Sequence, residues 1–600
     1  MRARISFIAL AFLTACSAQP VDRQISSKAP ATLTVVSTTD FHGALEAEEG
    51  ISGDGQKLSI GGASVFATYI KTLKKNTKGP LLWIDSGDLF QGSMASNRFE
   101  GAPVVRLYNH LGLTASALGN HEFDYGPEGD KAVPRSPSDD PRGALKARIK
   151  EAKFPFLAAN MRTTSGAMPE WLKASMVVEV GGLRVGIVGA ASPGTPGSTN
   201  ALNLTGLVFQ PLLPSVRNEA ERLRKEENVD VVIVTMHVGA ICEDNSLTSQ
   251  EDLSSCNAKD SESLDFAKTL PPGLVDLVLT GHTHRGVAKK VNGIAVLQAF
   301  SGGKYVGWAT VNVANHTSEV SGLVPVCEQV VEGAKGKTCD PYDIKKSRGA
   351  PEPAVFFGEQ IKPDAAVTKL LAADLEKVRA LKEAPLEFSA LDEITREYSR
   401  ESALGNLVAD ATRDALPEAD IGLTNGGGLR ANIAAGPVTY GDVFNVLPFD
   451  NQLATITIPG SKVYDLVKVG AFSGAGVFSW SSNLTFTGDG CEIKEITLNG
   501  RPLEKDKMYK IATSDFLAGG GSGVRSVKIP PEAVEVFWDA PYILRDLTAN
   551  VLKRWHKNIR ASDFYRADAP RQKFLKKCGK TASLKASGIK AMDEAHQHFH

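Results

Sequence analysis

The 600-residue sequence lacks an excess of either charge, with 67 basic against 68 acidic side chains. A nucleic-acid polymer is therefore not an expected partner, because proteins that grip phosphate backbones carry a basic excess or stripe. Beyond its first residues it has no apolar run of the roughly 20 residues that span a bilayer. Cysteines two residues apart are missing, which removes the zinc knuckle and the thioredoxin-like redox pair. Aromatic residues make up only 7%, yet 42% of the chain is hydrophobic, enough to bury cores and exclude disorder over most of its length. At about 100–200 residues per domain, the length calls for two or three domains.

What is present begins at the N-terminus. Met1-Arg2-Ala3-Arg4 is positive, Ile5 to Leu13 is apolar, and Thr14-Ala15-Cys16 follows. A positive start, about ten apolar residues and a small-residue end form an export signal, here residues 1–15. Leu13-Thr14-Ala15-Cys16 resembles the lipobox of bacterial lipoproteins, where cleavage precedes the cysteine and its thiol carries lipid. The reading is an exported protein of a bacterial cell envelope, lipid-anchored through Cys16 and facing the periplasm or the exterior. Residues 16–31 form a tether. Of seven cysteines, six remain after Cys16, enough for three disulfides in an oxidising compartment, with many connectivities open. Cys242–Cys256 and Cys327–Cys339 each close a polar loop and are the first expectation, which leaves Cys491–Cys578.

From residue 32 to 335, short apolar runs alternate with helical patterns. Leu33–Ser37, Leu81–Ile84, Val185–Val188, Val231–Val234 and Val275–Leu279 read as buried strands, and Ala63–Lys75 and Ser215–Glu227 as helices. That alternation predicts an α/β layered domain. Residues 336–384 read as a Lys-, Gly- and Pro-rich linker followed by an interdomain helix over Asp364–Glu383, opened by Pro363-Asp364. A second mixed α/β region covers 385–578, and 579–600 is a polar tail. The tail histidines His596, His598 and His600 have the spacing of an accessory metal site.

The polar residues behind the predicted strands carry the chemistry. They read Asp40-Phe41-His42, Asp85-Ser86-Gly87-Asp88, Gly119-Asn120-His121-Glu122-Phe123-Asp124, Met236-His237 and Gly281-His282-Thr283-His284. Ligands collect at the carboxyl ends of strands in α/β sheets, and five of the 11 histidines fall in these short segments. Carboxylate, imidazole and amide oxygen together suit divalent ions such as Zn²⁺, Mn²⁺ or Co²⁺. Two such ions about 3.5–4 Å apart share a bridging carboxylate and activate a water for in-line attack on phosphorus. Gly87, Gly119 and Gly281 permit the tight turns between them.

In this order the segments resemble the calcineurin-type metallophosphoesterases, and Gly119–Asp124 is similar to the 5′-nucleotidase and UDP-sugar hydrolase branch. The resemblance implies a four-layer sandwich with two mixed β-sheets, followed by a mixed α/β substrate domain of the 5′-nucleotidase type. It implies two divalent ions (Zn, Mn, Co or Mg), one held by Asp40, His42 and His284, the other by Asn120, His237 and His282, with Asp88 bridging. His121 would face the phosphoryl group, oriented by Asp124. Many relatives carry Gln or Asn where this chain has His284.

In the second region stand Tyr398-Ser399-Arg400, Asn425-Gly426-Gly427-Gly428-Leu429-Arg430, Leu447-Pro448-Phe449 and Asp515-Phe516, followed by Gly519-Gly520-Gly521-Ser522-Gly523. Guanidinium forks match phosphate oxygens, glycine runs let backbone approach a ligand, and aromatic rings from separate loops can sandwich a flat heterocycle. The resemblance implies substrate contacts from Arg400, Asn425, Arg430, Phe449 and Phe516. It departs at Ser522, where nucleotidases usually carry the Asp that bonds the ribose hydroxyls, and Asp450-Asn451-Gln452 is polar for a base pocket.

The expectation is a two-metal phosphohydrolase, a monomer, that releases phosphate from 5′-nucleotides or related small phosphoesters by metal-activated hydroxide attack. Ser522 keeps a 2′,3′-cyclic-nucleotide phosphodiesterase, a UDP-sugar hydrolase or a sulfur-ester hydrolase open. A non-enzymatic ligand-binding lipoprotein would have lost metal ligands, and none is missing.

Overall fold

The computed structural model describes residues 30–129, 131–334, 336–472, 476–538, 542–555 and 557–576. The export signal, Cys16 and most of the tether lie outside the described residues, as do Cys578 and the tail histidines.

Strands β1 (Thr32–Thr38), β2 (Leu81–Asp85), β3 (Ala115–Ala117) and β4 (Phe156–Leu157) run parallel to their neighbours in one sheet. Strands β5 (Ser175–Val180), β6 (Leu183–Ala190), β7 (Val231–Met236), β8 (Leu277–Thr280), β9 (Gly286–Val291) and β10 (Ile294–Ala299) build a second, ordered β9-β10-β8-β7-β6-β5. The chain then returns through β11 (Tyr305–Asn312) and β12 (Thr317–Pro325) to complete the first, ordered β12-β11-β1-β2-β3-β4. Both sheets are mixed, since β1 is antiparallel to β11 and β6 to β5.

Side-chain alternation decides the layering. Leu33 and Val35 of β1 and Ile84 of β2 meet Ile187, Ile233 and Leu279 of the other sheet in one dry cluster. Val36, one residue out of phase, faces the opposite way. There it packs against α1 (Ala63–Asn76), α2 (Ala102–Leu111) and α3 (Gly143–Glu151). Val232 and Val234 of β7 likewise face α4 (Leu212–Lys225) and α5 (Glu262–Thr269). The result is the expected four-layer sandwich. The strand expected from Val275 starts at Leu277; just before it, the Asp276 carboxylate accepts the Val232 amide at 2.6 Å and pairs with Arg224. Helix α4 starts three residues before the expected Ser215, with Pro214 in its first turn, where proline costs no hydrogen bond.

The segment expected as linker is built. Gln329–Gly333, Gly336–Thr338 and Arg348–Pro353 pair as a three-stranded sheet, and Cys327–Cys339 staples its base. Lysine, glycine and proline on exposed strands read as linker composition, whereas pairing and a disulfide hold them here. Helix α6 (Ala365–Lys382) begins where expected, Asp364 accepting the Ala366 and Val367 amides. Its Val367, Leu371 and Val378 join the apolar cluster of α1 and α2, so the helix docks on the first domain.

After α6 come α7 (Ala403–Ala415), β13 (Ile421–Asn425), β14 (Leu453–Pro459), α8 (Gly460–Phe472), β15 (Phe478–Trp480), β16 (Met508–Ser514), β17 (Val534–Val536) and α9 (Leu544–Trp555). The strands form a mixed sheet ordered β15-β13-β16-β14-β17. Cys242–Cys256 is also present, and Cys491 is disulfide-bonded. Among the described residues no helix is long and apolar enough to cross a membrane.

Candidate active site

The carboxyl ends of β1, β2, β3, β7 and β8 open on one point, and the expected ligands meet there. Asp40, His42, Asp88 and His284 form one group whose ligand atoms lie within 4.8 Å of one another, and Asp88, His237 and His282 form a second. Asp88 belongs to both. Five of these side chains stand on left-handed backbone: Asp40 (φ 50°), His42 (50°), Asp88 (57°), His282 (79°) and His284 (53°). Non-glycine residues rarely adopt that conformation, which costs energy and gathers at functional sites. Neighbouring backbone holds it: the Asp40 amide donates to Gly87 O at 2.9 Å and the His42 amide to Asp88 O at 3.0 Å. At Gly119 a Cβ would lie 2.1 Å from an Asp88 carboxylate oxygen, so the loops close only around glycine there.

Hydrogen bonds preset the imidazoles as ligands. His42 Nδ1 faces the Gln91 carbonyl oxygen at 2.7 Å and His237 Nδ1 faces that of Ser86 at 2.7 Å. Only an N–H satisfies a carbonyl, so in the neutral ring each Nε2 carries the lone pair. The His42 lone pair points at His284 Nε2, 2.9 Å away. Asn120 Oδ1 is buried with no hydrogen-bond partner among the described residues. An orphaned amide oxygen, converging imidazole nitrogens and two buried carboxylates fit divalent cations. Asp40, His42 and His284 could hold one, Asn120, His237 and His282 another, with Asp88 between. Burial and the neighbouring His284 hold His42 well below its usual range, which keeps it a neutral donor. Burial would raise Asp88, but His237 and His121 outweigh it and hold the carboxyl ionised.

His121 belongs to neither group. Its Nδ1 sits 2.6 Å from Asp124 Oδ2, while Asp124 Oδ1 accepts from Thr199 Oγ1 at 2.7 Å. Burial opposes the imidazolium, but the Asp124 and Asp88 carboxylates prevail and raise His121 above its ordinary value. The other wall of the same cleft comes from the second domain: Tyr398, Asn425, Arg430, Phe449, Asp515, Phe516 and Ser522. The Phe449 ring stacks on His121 with centroids 5.7 Å apart, and the Arg430 guanidinium lies 5.8 Å from the Phe449 centroid. Burial and nearby Arg396 push Arg430 down to about 10, still charged at neutral pH.

Residues 33–286 match the family described as calcineurin-like phosphoesterase, and residues 383–529 match 5′-nucleotidase, C-terminal domain, about two thirds of the chain together. The chain joins a calcineurin-like phosphoesterase domain to a 5′-nucleotidase C-terminal domain. Protein UshA of Yersinia enterocolitica is 25% identical over 89% of this phosphoesterase and 92% of its own length. Endonuclease YhcR of Bacillus subtilis is 26% identical over 83% of the chain, which spans only 38% of that longer protein. In fold, the phosphoesterase resembles the 5′-nucleotidase precursor from Thermus thermophilus, with a TM-score of 0.67 at 24% identity, covering 91% of this chain and 99% of that one.

Of the expected substrate contacts, Asn425, Arg430, Phe449 and Phe516 line the cleft of the phosphoesterase and Arg400 does not. Arg400 is exposed and pairs with Glu397 at 2.6 Å on the surface. Ser522, at φ 47°, accepts from Asn425 Nδ2 at 3.0 Å.

Two acidic residues escaped the sequence reading. Glu122, 1% exposed, accepts the amides of Asp88 (3.1 Å), Leu89 (2.6 Å) and Gly119 (2.7 Å), locking the β2 and β3 loops together. Burial and the Asp88 charge push it up to about 7. The signal was its place inside Gly119–Asp124.

Asp515 is the other. It accepts the Gln452 amide at 3.0 Å and Asn200 Nδ2 at 3.1 Å, the latter across the domain boundary. Burial pushes its carboxyl up to about 7 against these bonds. A folded-state value above the unfolded one means that ionisation opposes folding. Stability is therefore lost as pH rises from about 4 to about 7 and stays lower above that. Asp515→Asn should remove this loss and raise the melting temperature at pH 8, at about 2–4 °C per kcal/mol for a domain of this size, with little change at pH 4. Calorimetry at both pH values checks it, and an equal shift at both would contradict the assignment to Asp515.

Proposed function

We propose that the protein hydrolyses 5′-nucleotides and related small phosphomonoesters, releasing inorganic phosphate, with two divalent cations (Zn²⁺, Mn²⁺, Co²⁺ or Mg²⁺). The observation that carries this reading is one cleft with the seven-residue donor cluster on one wall and Arg430, Phe449 and Phe516 on the other, His121 standing between. When bound, such cations supply a polarised water and a positive field for phosphoryl oxygens. Asp40, His42, Asp88, Asn120, His237, His282 and His284 hold them. His121, kept protonated by Asp124, donates to the leaving oxygen and stabilises charge there. Arg430 brings a fixed cation to the cleft, Asn425 a hydrogen bond, and Phe449 and Phe516 the faces for a base. The organic half of the substrate thus rests on the second domain and the phosphate on the first.

Ser522 supports a second reading within the same chemistry. A neutral hydroxyl that already accepts from Asn425 is a weaker partner for a ribose diol than a carboxylate, which favours 2′,3′-cyclic nucleotides or sulfur esters, neither with a free ribose diol, as further substrates and leaves nucleotide sugars open. Export and lipid attachment at Cys16 belong to the proposal too, supported by the first sixteen residues, and the reading takes the protein as a monomer.

Phosphate release from AMP, with added Mn²⁺ or Zn²⁺ and with EDTA, is the direct test. Turnover with metal and none with chelator is expected. A panel of nucleotides, cyclic nucleotides, UDP-sugars and sulfur esters sorts the two readings. No hydrolysis of any of them would overturn both.

A further inference from the structure

We propose that Arg545 is a positioning residue for substrate recognition, holding the Phe449 loop where its ring can stack a base. The inference rests on the nucleotide reading above and deepens it. Arg545 lies in the first turn of α9 and is 6% exposed, yet it does not line the cleft. Its guanidinium grips both sides of Phe449. Nη2 donates to Asp450 Oδ1 at 2.8 Å and Nη1 to the Leu447 carbonyl at 3.4 Å, so the residues bracketing Pro448-Phe449 share one cation. The remaining edge, Nε, donates to Tyr440 Oη at 3.1 Å, and Tyr440 in turn donates to Asp546. The plane lies 4.5 Å from the centroid of Phe444.

Every face of Arg545 is thus committed to placing one loop. A planar fork can reach Leu447, Asp450 and Tyr440 at once, whereas an ammonium can satisfy only part of this set. The polar run Asp450-Asn451-Gln452, odd beside a base pocket, now has a role. Asp450 pairs with Arg545, Asn451 O accepts the Leu544 amide at 2.8 Å, and the Gln452 amide donates to Asp515 beside Phe516. The loops of both aromatic rings are therefore tied together behind the cleft, and the gap between the rings is set before substrate arrives. That is preorganisation, and loosening it weakens binding of the stacked group without touching the reacting atoms.

Arg545→Lys should raise KM for AMP about tenfold, the scale of one lost base–aromatic stack, with kcat changed less than about twofold and kcat/KM for glycerol 2-phosphate, which has no base, unchanged. Asp450→Asn removes the charge of the same pair from the loop side, at a partly exposed residue, and should also raise KM for AMP. In a Phe449→Leu background, Arg545→Lys should add little to KM, because both act through one ring. Unchanged KM for AMP in both single variants overturns the inference alone. Equal losses on AMP and glycerol 2-phosphate, or full additivity with Phe449→Leu, also overturn it, leaving Arg545 a general structural residue. Wild-type protein that neither binds nor cleaves AMP overturns the nucleotide reading, and the inference with it.

Discussion

Asp88→Asn lowers kcat/KM for AMP by at least about a thousandfold, the upper end of what one preorganised electrostatic group contributes. The expectation follows from where the residue sits. It is the one side chain common to both donor groups, lies 2.9 Å from His237 Nε2 and 3.8 Å from His42 Nε2, and accepts the His121 amide at 2.9 Å. Loss of its charge weakens both cation positions together and removes one of the two carboxylates that favour the His121 imidazolium. Asparagine is the informative replacement. It keeps the volume, accepts the same backbone bond and tolerates the left-handed conformation at φ 57° better than most residues. Circular dichroism should therefore stay native while bound metal, measured by elemental analysis, drops from about two ions per chain. A variant keeping a tenth of the wild-type rate and its full metal content would refute the bridging role.

Much of this site was legible because strand ends expose chemistry in a short stretch of sequence. An apolar run closed by Asp-x-His, by Gly-Asp or by Gly-His-x-His marks both the strand and the polar residues at its end; six of the seven side chains read as donors fall into two groups sharing Asp88, and Asn120 lines the same cleft. The disulfides Cys242–Cys256 and Cys327–Cys339 were readable for the same reason, being local. What stayed hidden depends on partners distant in sequence. Arg545 gains its role from a carboxylate 95 positions away, and Asp515 from Asn200, 315 positions away. Arg400 shows the reverse. Its residue type invited a substrate contact, while the fold leaves it on the surface with Glu397. Glycine-, lysine- and proline-rich composition at 336–353 likewise concealed a paired sheet, because exposed strands have no core face to pattern.

The second large effect separates chemistry from metal binding. His121→Gln should lower kcat for AMP by about 10²–10⁴, the usual range for a lost general acid, yet leave the metal content at its wild-type value, because His121 belongs to neither donor group. The ring also stacks on Phe449, so KM should rise, by less than about tenfold, as aromatic pairs of this kind are worth. Asp124→Asn keeps the bond from Thr199 but removes the charge beside Nδ1, and should give a smaller loss of the same kind. The leaving group then assigns the role. Nucleoside alkoxide needs a proton to depart and p-nitrophenolate does not, so His121→Gln should lose far less on p-nitrophenyl phosphate than on AMP. Equal losses on both would instead assign His121 to stabilising charge on the phosphoryl oxygens, since those develop alike whichever group departs.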